Sequence, residues 1–516
     1  MSAIAVVSAL NALPWVYDGF PMAQVLGMAA PLAVIHRLRG WRGEIVVMGS
    51  AVTSLAIAFH WAPSTIAAVL DGSEAVGLLF AIPILLWDAA RVSLPFWVVA
   101  RAGWQPRSSW LPVGLVMVAS EGFFPAVFPW RLGYSQVDWP LMIQSADLLG
   151  SAALTLAVLA MAGLVVEMAC LTRDVIRSRF DPSTARPVRP SPGGIAACVV
   201  VLLNLAYGAW ALERYRVVDG PTVRVVAVQV DPDDSDGLEA LRKFSKSETA
   251  DLVIWPECSG GCYEASLDSL ADAAEVHRLS RGERRGWRPA ADEHGLPPCP
   301  LLFGAEVFEG RAERPTRVYR SSILLDPSGH VIGEYRKRWL MPFGEYVPAA
   351  RALPVLVSLF QSDQPLATGN EPTVLDAGPD ARIGTLMCYE DMLPEAAASL
   401  ARSGATLLVS LVNASSFPNP AALSQHRRLA QMRAVENRRA LVRCGATGET
   451  CVIDPRGIIG SRLPLRARGG LVADAPLRSG VTLATRTGEW NAIVSALAAA
   501  AILSASGDRR KIPDQR

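Results

Sequence analysis

The sequence predicts an α/β sandwich domain carried on an α-helical membrane domain of about eight transmembrane helices. Three observations predict it. Hydrophobic residues make up 51% of the 516 residues and charged residues only 19%, below the roughly 25% usual for soluble proteins. That deficit is concentrated in residues 1–212, where long apolar runs alternate with short basic loops. Beyond them, β-branched runs alternate with helical patterns, as in layered α/β domains. A chain of this length exceeds a single hydrophobic core. The expected organisation is therefore a helical membrane domain at 1–212 with about seven helices, an α/β domain at 221–478, and a C-terminal transmembrane helix at 489–506.

A membrane helix needs roughly 20 mostly apolar residues. The candidates are 1–14, 20–36, 43–61, 66–102, 109–128, 142–171, 193–212 and 490–506. In the fourth, Asp71 and Glu74 push the span's start beyond them. The first lacks the basic leader of a signal peptide, and more apolar segments follow at once. Basic residues mark alternate loops: Arg37, Arg39 and Arg42; Arg101 and Arg107; Arg173, Arg177, Arg179, Arg186 and Arg189; and Arg509, Arg510, Lys511 and Arg516. Such loops face the cytoplasm, which places the α/β domain outside it, with Arg131 a minor exception. Glu121, near the outer end of the fifth segment, reads either as a headgroup-level carboxylate paired to a neighbour or as part of a lipid cleft. Trp130, Tyr134 and Trp139 read as an interfacial aromatic belt. The net charge of +1 carries no signature of nucleic-acid binding. The eight cysteines match no zinc-ligand spacing, although they would permit disulfides in an oxidising compartment.

The α/β region opens on the strand-like run 224–230. A second run, 252–255, ends at Pro256-Glu257. Residues 322–325, a turn at Asp326-Pro327-Ser328-Gly329, and 331–335 form a hairpin pattern leading to Lys337. Residues 382–387 end at Cys388, and 406–411 end at Val412-Asn413. Residues 421–440 read as a helix with Leu429, Met432 and Val435 on one side. His426 and Glu436 on that helix read as structural hydrogen-bond partners. Three chemically capable side chains thus follow buried strands, and strand ends are where α/β folds gather reactive groups. Alone, a cysteine after a strand is usually a small buried hydrophobe and a loop lysine is usually solvated. The apolar stretch 353–360 is too short to span and reads as an interfacial guide for an acyl chain. The Cys258–Cys262 segment and the Arg-rich stretch 278–288 read as a lid or a solvated loop.

The local contexts are more specific than the single residues. They are Trp255-Pro256-Glu257, then Tyr335-Arg336-Lys337 running on to Pro342-Phe343-Gly344-Glu345-Tyr346-Val347-Pro348, then Met387-Cys388-Tyr389-Glu390. Their order and spacing resemble the nitrilase (carbon-nitrogen hydrolase) superfamily. The Pro-Phe-Gly-Glu-Tyr-Val-Pro stretch, set between seven apolar segments and one, is similar to the apolipoprotein N-acyltransferase family. So are Phe128-Pro129-Trp130, Leu132-Gly133-Tyr134-Ser135-Gln136 and Arg486-Thr487-Gly488-Glu489-Trp490. The resemblance covers nearly the whole chain. Three places depart from the family pattern. An Asn-Asp-Ala-Trp-Phe-Gly-like stretch reads Asn413-Ala414-Ser415-Ser416-Phe417-Pro418 here, Tyr-Asn reads Tyr319-Arg320, and a Trp after the first strand is missing from 230–240.

The resemblance implies a nitrilase-like αββα sandwich and a catalytic triad of Glu257, Lys337 and Cys388. Lys337 is expected to stabilise a Cys388 thiolate and then the oxyanion, with help from the Tyr389 N–H, while Glu257 moves the proton. Glu345 is expected to orient the triad and the incoming amine, and Glu390 to support it; for each, a salt bridge to an arginine is the alternative. The implied partners are a phospholipid acyl donor and a diacylglyceryl-cysteine lipoprotein whose free amine accepts the chain. No cofactor or metal is expected. A membrane-bound amidase using water, and a lipoprotein-binding paralogue without turnover, are the competing expectations.

Overall fold

The computed structural model describes residues 2–70, 72–180, 188–216, 220–231, 234–247, 249–259, 262–265, 297–311, 314–348, 350, 366–415, 417, 419–488 and 490–508. The stretches 278–288 and 353–360 lie outside them. The chain divides into two compact units. One holds residues 1–63, 78–214 and 487–516, the other 64–77 and 215–486.

The first unit is helical: α1 (Ser2–Val16), α2 (Pro21–Ala33), α3 (Trp41–Ala58), α4 (Glu74–Arg101), α5 (Trp110–Phe123), α6 (Ser151–Phe180), α7 (Pro192–Arg214) and a C-terminal helix, Trp490–Asp508. Among the described residues, α4, α6 and α7 are long and apolar enough to cross a membrane. A fourth span is added if α3 and the short helix Ala62–Val69 are taken together, and the other apolar helices are shorter. Local chemistry explains the shortening. Helix α5 stops at Phe123 because Phe124 precedes Pro125 and takes an extended conformation, as the proline ring demands. Gly150, at φ +58°, separates two one-turn helices from α6, so the span expected at 142–171 begins at Ser151 and runs on to Phe180. Helix α4 starts at Glu74 itself, so that acid lies in its first turn instead of before the helix as expected.

Inside this unit Val25, Met28, Leu32, Phe96, Val99, Trp110 and Leu159 form a core. Leu79, Leu203 and Leu497 are each about two-thirds exposed, an outward apolar face suited to lipid. Glu121 is buried, and its carboxylate accepts from the Leu132 N–H at 2.7 Å and the Thr155 hydroxyl at 2.9 Å. It is the paired carboxylate of the two sequence readings. Trp130 and Tyr134 are not an interfacial belt. Both are buried, and Trp130 packs on Trp15, Phe59 and the Arg91 guanidinium.

The second unit is a two-sheet sandwich. Its strands are β1 (Thr222–Gln229), β2 (Leu252–Ile254), β3 (Cys262–Ala265), β4 (Leu301–Arg311), β5 (Arg314–Leu325), β6 (Val331–Arg336), β7 (Val374–Asp376), β8 (Arg382–Met387), β9 (Leu407–Val412), β10 (Leu441–Gly445), β11 (Cys451–Ile453), β12 (Ile459–Arg462) and β13 (Gly469–Pro476). One sheet runs β13-β1-β2-β4-β5-β6 with β3 on β4, and the other runs β12-β11-β10-β9-β8-β7. The inner faces share one core. Val223, Val225, Ile254 and Leu302 come from the first sheet, and Ile383, Val409 and Val442 from the second. Strand alternation turns Val226, Val228 and Val253 to the opposite side, where they pack on helix α8 (Gly237–Phe244). The second sheet is backed by α9 (Pro394–Arg402) and α10 (Pro420–Asn437), whose Ala396, Leu400 and Ala430 join the shared core. The layers are therefore α-β-β-α. Parallel β8-β9-β10 pairing brings the C-terminal ends of these strands to one edge, where Cys388 and Asn413 emerge.

Candidate active site

Glu257 follows β2 by three residues, Lys337 follows β6 directly, and Cys388 follows β8 directly. The two sheets bring them together. The Lys337 ammonium is fully buried; it donates to Glu345 Oε1 at 2.7 Å and lies 3.8 Å from Glu257 Oε1. The other Glu257 oxygen accepts from the Asn413 N–H at 3.0 Å, and the Cys388 thiol faces the Asn413 carbonyl, Sγ to O 3.8 Å. The Asn413 peptide therefore touches carboxylate and thiol together.

Each residue is held by its local chain. Cys388 sits at φ +47° at the start of a 3₁₀ turn, Cys388–Met392. A non-glycine residue in this region is strained and is kept there only by its surroundings. Glu257 lies against Gly304 of β4, where a Cβ would come within 2.8 Å of the Glu257 Cα; only glycine permits that approach. Past Lys337, the Gly369 N–H donates to the Lys337 carbonyl at 2.8 Å.

Glu345, which accepts from the Lys337 ammonium, also accepts from the Met341 N–H at 2.7 Å. Glu390 does something the sequence did not specify. Fully buried, it accepts from the Tyr335 hydroxyl at 2.8 Å and from the N–H groups of Arg338, Trp339 and Met387 at 2.7, 3.1 and 2.9 Å. It thus clamps the exit of β6, which carries Lys337, to the exit of β8, which carries Cys388. Tyr389 is buried beside them, and burial followed by Tyr346 pushes its phenol up to about 12. His426 bonds Asp391 at 2.6 Å and Glu436 bonds Arg433 at 2.8 Å, the structural roles expected of them. The region after Glu257 is partly described: Cys258 forms a turn and Cys262–Ala265 is strand β3, parallel to β4. The seven cysteines whose side chains are described are free thiols. Among the described residues, no cluster of His, Cys, Asp or Glu is arranged to hold a metal ion.

The electrostatics define the resting state. Burial works against the Lys337 ammonium, but Glu345, Glu257 and Cys388 outweigh it and hold its pKa above the ordinary lysine value. Burial, reinforced by the Glu257 charge, pushes the Cys388 thiol well up, and Lys337 pulls it back only in part. The Cys388 thiol therefore gives up its proton less readily than a free cysteine, beside a cation that partly offsets this. Such a site can deprotonate a thiol at the moment of attack and hold the negative charge that develops.

Two contributors entered the sequence reading only as departures from the family pattern, with no role assigned. Asn413 acts through its backbone N–H, which has no residue signature beyond its place after β9. Arg320 lies directly across from Lys337 on the neighbouring strand, a relation only the register reveals.

The carbon-nitrogen hydrolase family profile matches residues 222–484. The chain is 32% identical to an apolipoprotein N-acyltransferase of Geobacter metallireducens, over 76% of this chain and 72% of the relative. It is 28% identical to one of Pseudomonas paraeruginosa over 97% and 94%. Among solved structures, a Saccharomyces cerevisiae member of branch 10 of the nitrilase superfamily is 22% identical, with a TM-score of 0.34, over 49% of this chain and 90% of its own.

Proposed function

The chain belongs to the apolipoprotein N-acyltransferase family of carbon-nitrogen hydrolases, and from that premise we propose how its own residues carry an acyl chain from lipid to amine. The donor is a membrane phospholipid and the acceptor is the free N-terminal amine of a diacylglyceryl-cysteine lipoprotein. One observation carries this reading: a buried Lys337 ammonium meets Glu257 and Glu345 beside a Cys388 held at φ +47°.

In the first half-reaction the Cys388 sulfur attacks the ester carbonyl while its proton passes to Glu257. The carbonyl oxygen becomes an oxyanion. Lys337 and the Tyr389 N–H stabilise it; that N–H belongs to the first turn of a 3₁₀ segment, where helix geometry leaves such groups without a carbonyl of their own. Collapse breaks the ester C–O bond, Glu257 returns its proton to the departing lyso-lipid oxygen, and a thioester remains on Cys388. In the second half-reaction the neutral amine attacks the thioester carbon and loses a proton to Glu257. The C–S bond then breaks, and the thiolate is reprotonated as the amide leaves. The scheme is ping-pong and uses only groups of the chain. Glu345 keeps Lys337 aimed at the reacting carbon, and Glu390 keeps the loops of Lys337 and Cys388 in register. Asn413, Ala414 and Phe417 of the changed stretch 413–418 lie by Glu257 and Cys388, and that stretch is where acceptor preference would be set.

Such an enzyme meets its lipid substrates in a bilayer, and the several apolar helices fit a multi-pass protein of a bacterial inner membrane. The alternation of arginine-bearing loops supports an outward, periplasmic α/β domain. A reporter active only in the cytoplasm, fused after Gly220, should be silent, and one fused after Arg177 should be active. The reverse pattern overturns this orientation.

A further inference from the structure

Arg320 has no part in the scheme above, yet it lies beside Lys337 in the sheet and contacts the residue that follows Glu257. It is the cross-strand neighbour of Lys337, whose N–H donates to the Arg320 carbonyl at 2.8 Å, and on its other side it pairs with Glu306 of β4. Direct cross-strand partners present their side chains to the same face. The row Glu306, Arg320, Lys337 therefore lies on one face of the sheet. The guanidinium donates through Nη1 to the Cys258 sulfur, and Nη2 lies 3.2 Å from Glu306 Oε1. Its Nε is buried without a partner among the described residues.

Cys258 immediately follows Glu257 and sits at φ +63°. The turn that presents Glu257 is thus strained and needs an external hold. Gly304 lies beneath it, Asn413 bonds the Glu257 carboxylate from one side, and Arg320 grips it through the Cys258 sulfur from the other.

We propose that Arg320 is a second positioning cation of the active centre, anchoring the Glu257 turn through Cys258 and balancing the carboxylates that crowd Lys337. The groups that surround Glu257 are Lys337 on β6, Glu345 in the loop after it, Arg320 on β5, Glu306 on β4, Cys258 in its own turn and Cys388 after β8. Without Arg320, Glu306 would lose this ion pair, and Lys337 would remain the cation facing Glu257 and Glu345. Cys258 first, then Glu306, Glu257 and Glu345, hold the Arg320 pKa above its ordinary value. Loss of a cation from this face disfavours the charged form of a carboxylate beside it.

This inference rests on Glu257 being the base, and the test separates the two claims. The full-length protein in phospholipid nanodiscs is given a fluorescent-acyl phospholipid, and the rate of Cys388 acylation is followed against pH. For Arg320→Gln the acid limb should move up by about one pH unit, the low end of what a neighbouring charge does to a carboxylate. The rate deficit should be about tenfold on that limb and should narrow as pH rises. Arg320→Lys should keep the limb near its normal place. Glu306→Gln removes a competing carboxylate and should move the limb down, a result that stands even if Arg320→Gln does not fold. Cys258→Ala, which keeps the cation but frees the turn, should lower the rate at all pH values without moving the limb. Limbs unmoved in both Arg320→Gln and Glu306→Gln overturn the proposal. If Glu257→Gln keeps a normal rate and acid limb, the base assignment itself fails, independently of Arg320.

Discussion

Cys388→Ala should leave a folded, membrane-inserted protein that forms no thioester and transfers no acyl chain, a loss of roughly 10⁴–10⁶-fold that reaches the detection limit. The expectation follows from position. Cys388 is the residue that β8 delivers, at a strained φ of +47°, to the edge where Lys337, Glu257 and Asn413 meet. Alanine keeps the backbone path and removes only the sulfur, so Glu390 should go on clamping the two loops. Acyl label recovered on peptides containing Cys388 in the wild type, and on none in the variant, is the check. Near-normal transfer by Cys388→Ala would show that another group is the nucleophile.

Glu257→Gln and Lys337→Ala should be almost as damaging and should differ in kind. Glu257→Gln removes the proton acceptor, and acylation should fall by roughly 10²–10⁴-fold. It also removes a charge that raises the Cys388 thiol pKa, so alkylation of Cys388 by a small probe should begin at lower pH than in the wild type. Lys337→Ala removes a neighbour that lowers that pKa, so alkylation should begin at higher pH, and acylation should fall as well. The two variants thus shift thiol titration in opposite directions while both lose turnover. The double variant should be little worse than either single one, as expected of groups acting as a unit. Additive losses, or a silent Lys337→Ala, would return Lys337 to the role of an ordinary loop residue. Alkylation profiles are read by mass spectrometry of the Cys388 peptide, because Cys258 also carries a free thiol.

Much of this site was legible in the sequence because its chemistry sits where strands stop. β2, β6 and β8 each show as a β-branched or apolar run, and Glu257, Lys337 and Cys388 follow within three residues. What sequence reading could not supply depended on long-range pairing or on the backbone. β4 was not singled out, although Gly304 within it makes room for Glu257 and Glu306 lies across from Arg320. β5 begins at Arg314, well before the expected 322, because its outer half is polar and pairs with β4 as a long hairpin. α10 ends at Asn437 because Arg438 takes φ +50°, a left-handed stop without the glycine that usually announces one. In the membrane unit, Trp130 and Tyr134 had the look of interfacial aromatics. A partner cluster from α1 and the end of α3, with Trp15 and Phe59, draws Trp130 inside. The segment expected at 109–128 was cut short at Pro125, and the span expected at 142–171 was displaced to Ser151–Phe180 by the positive φ of Gly150, local events that a hydropathy window averages away.

The central claim is a two-step transfer through Cys388, and the most direct measurement separates the steps. Wild-type protein is loaded with labelled acyl chain from phospholipid, freed of donor, and then given a diacylglyceryl-cysteine peptide with a free N-terminus. The account predicts a stable, hydroxylamine-sensitive label on Cys388 that moves stoichiometrically to the peptide amine when the peptide arrives, with little released as free fatty acid. Label lost to water at the same rate with or without peptide, or a peptide acylated only while donor lipid is present, would contradict it.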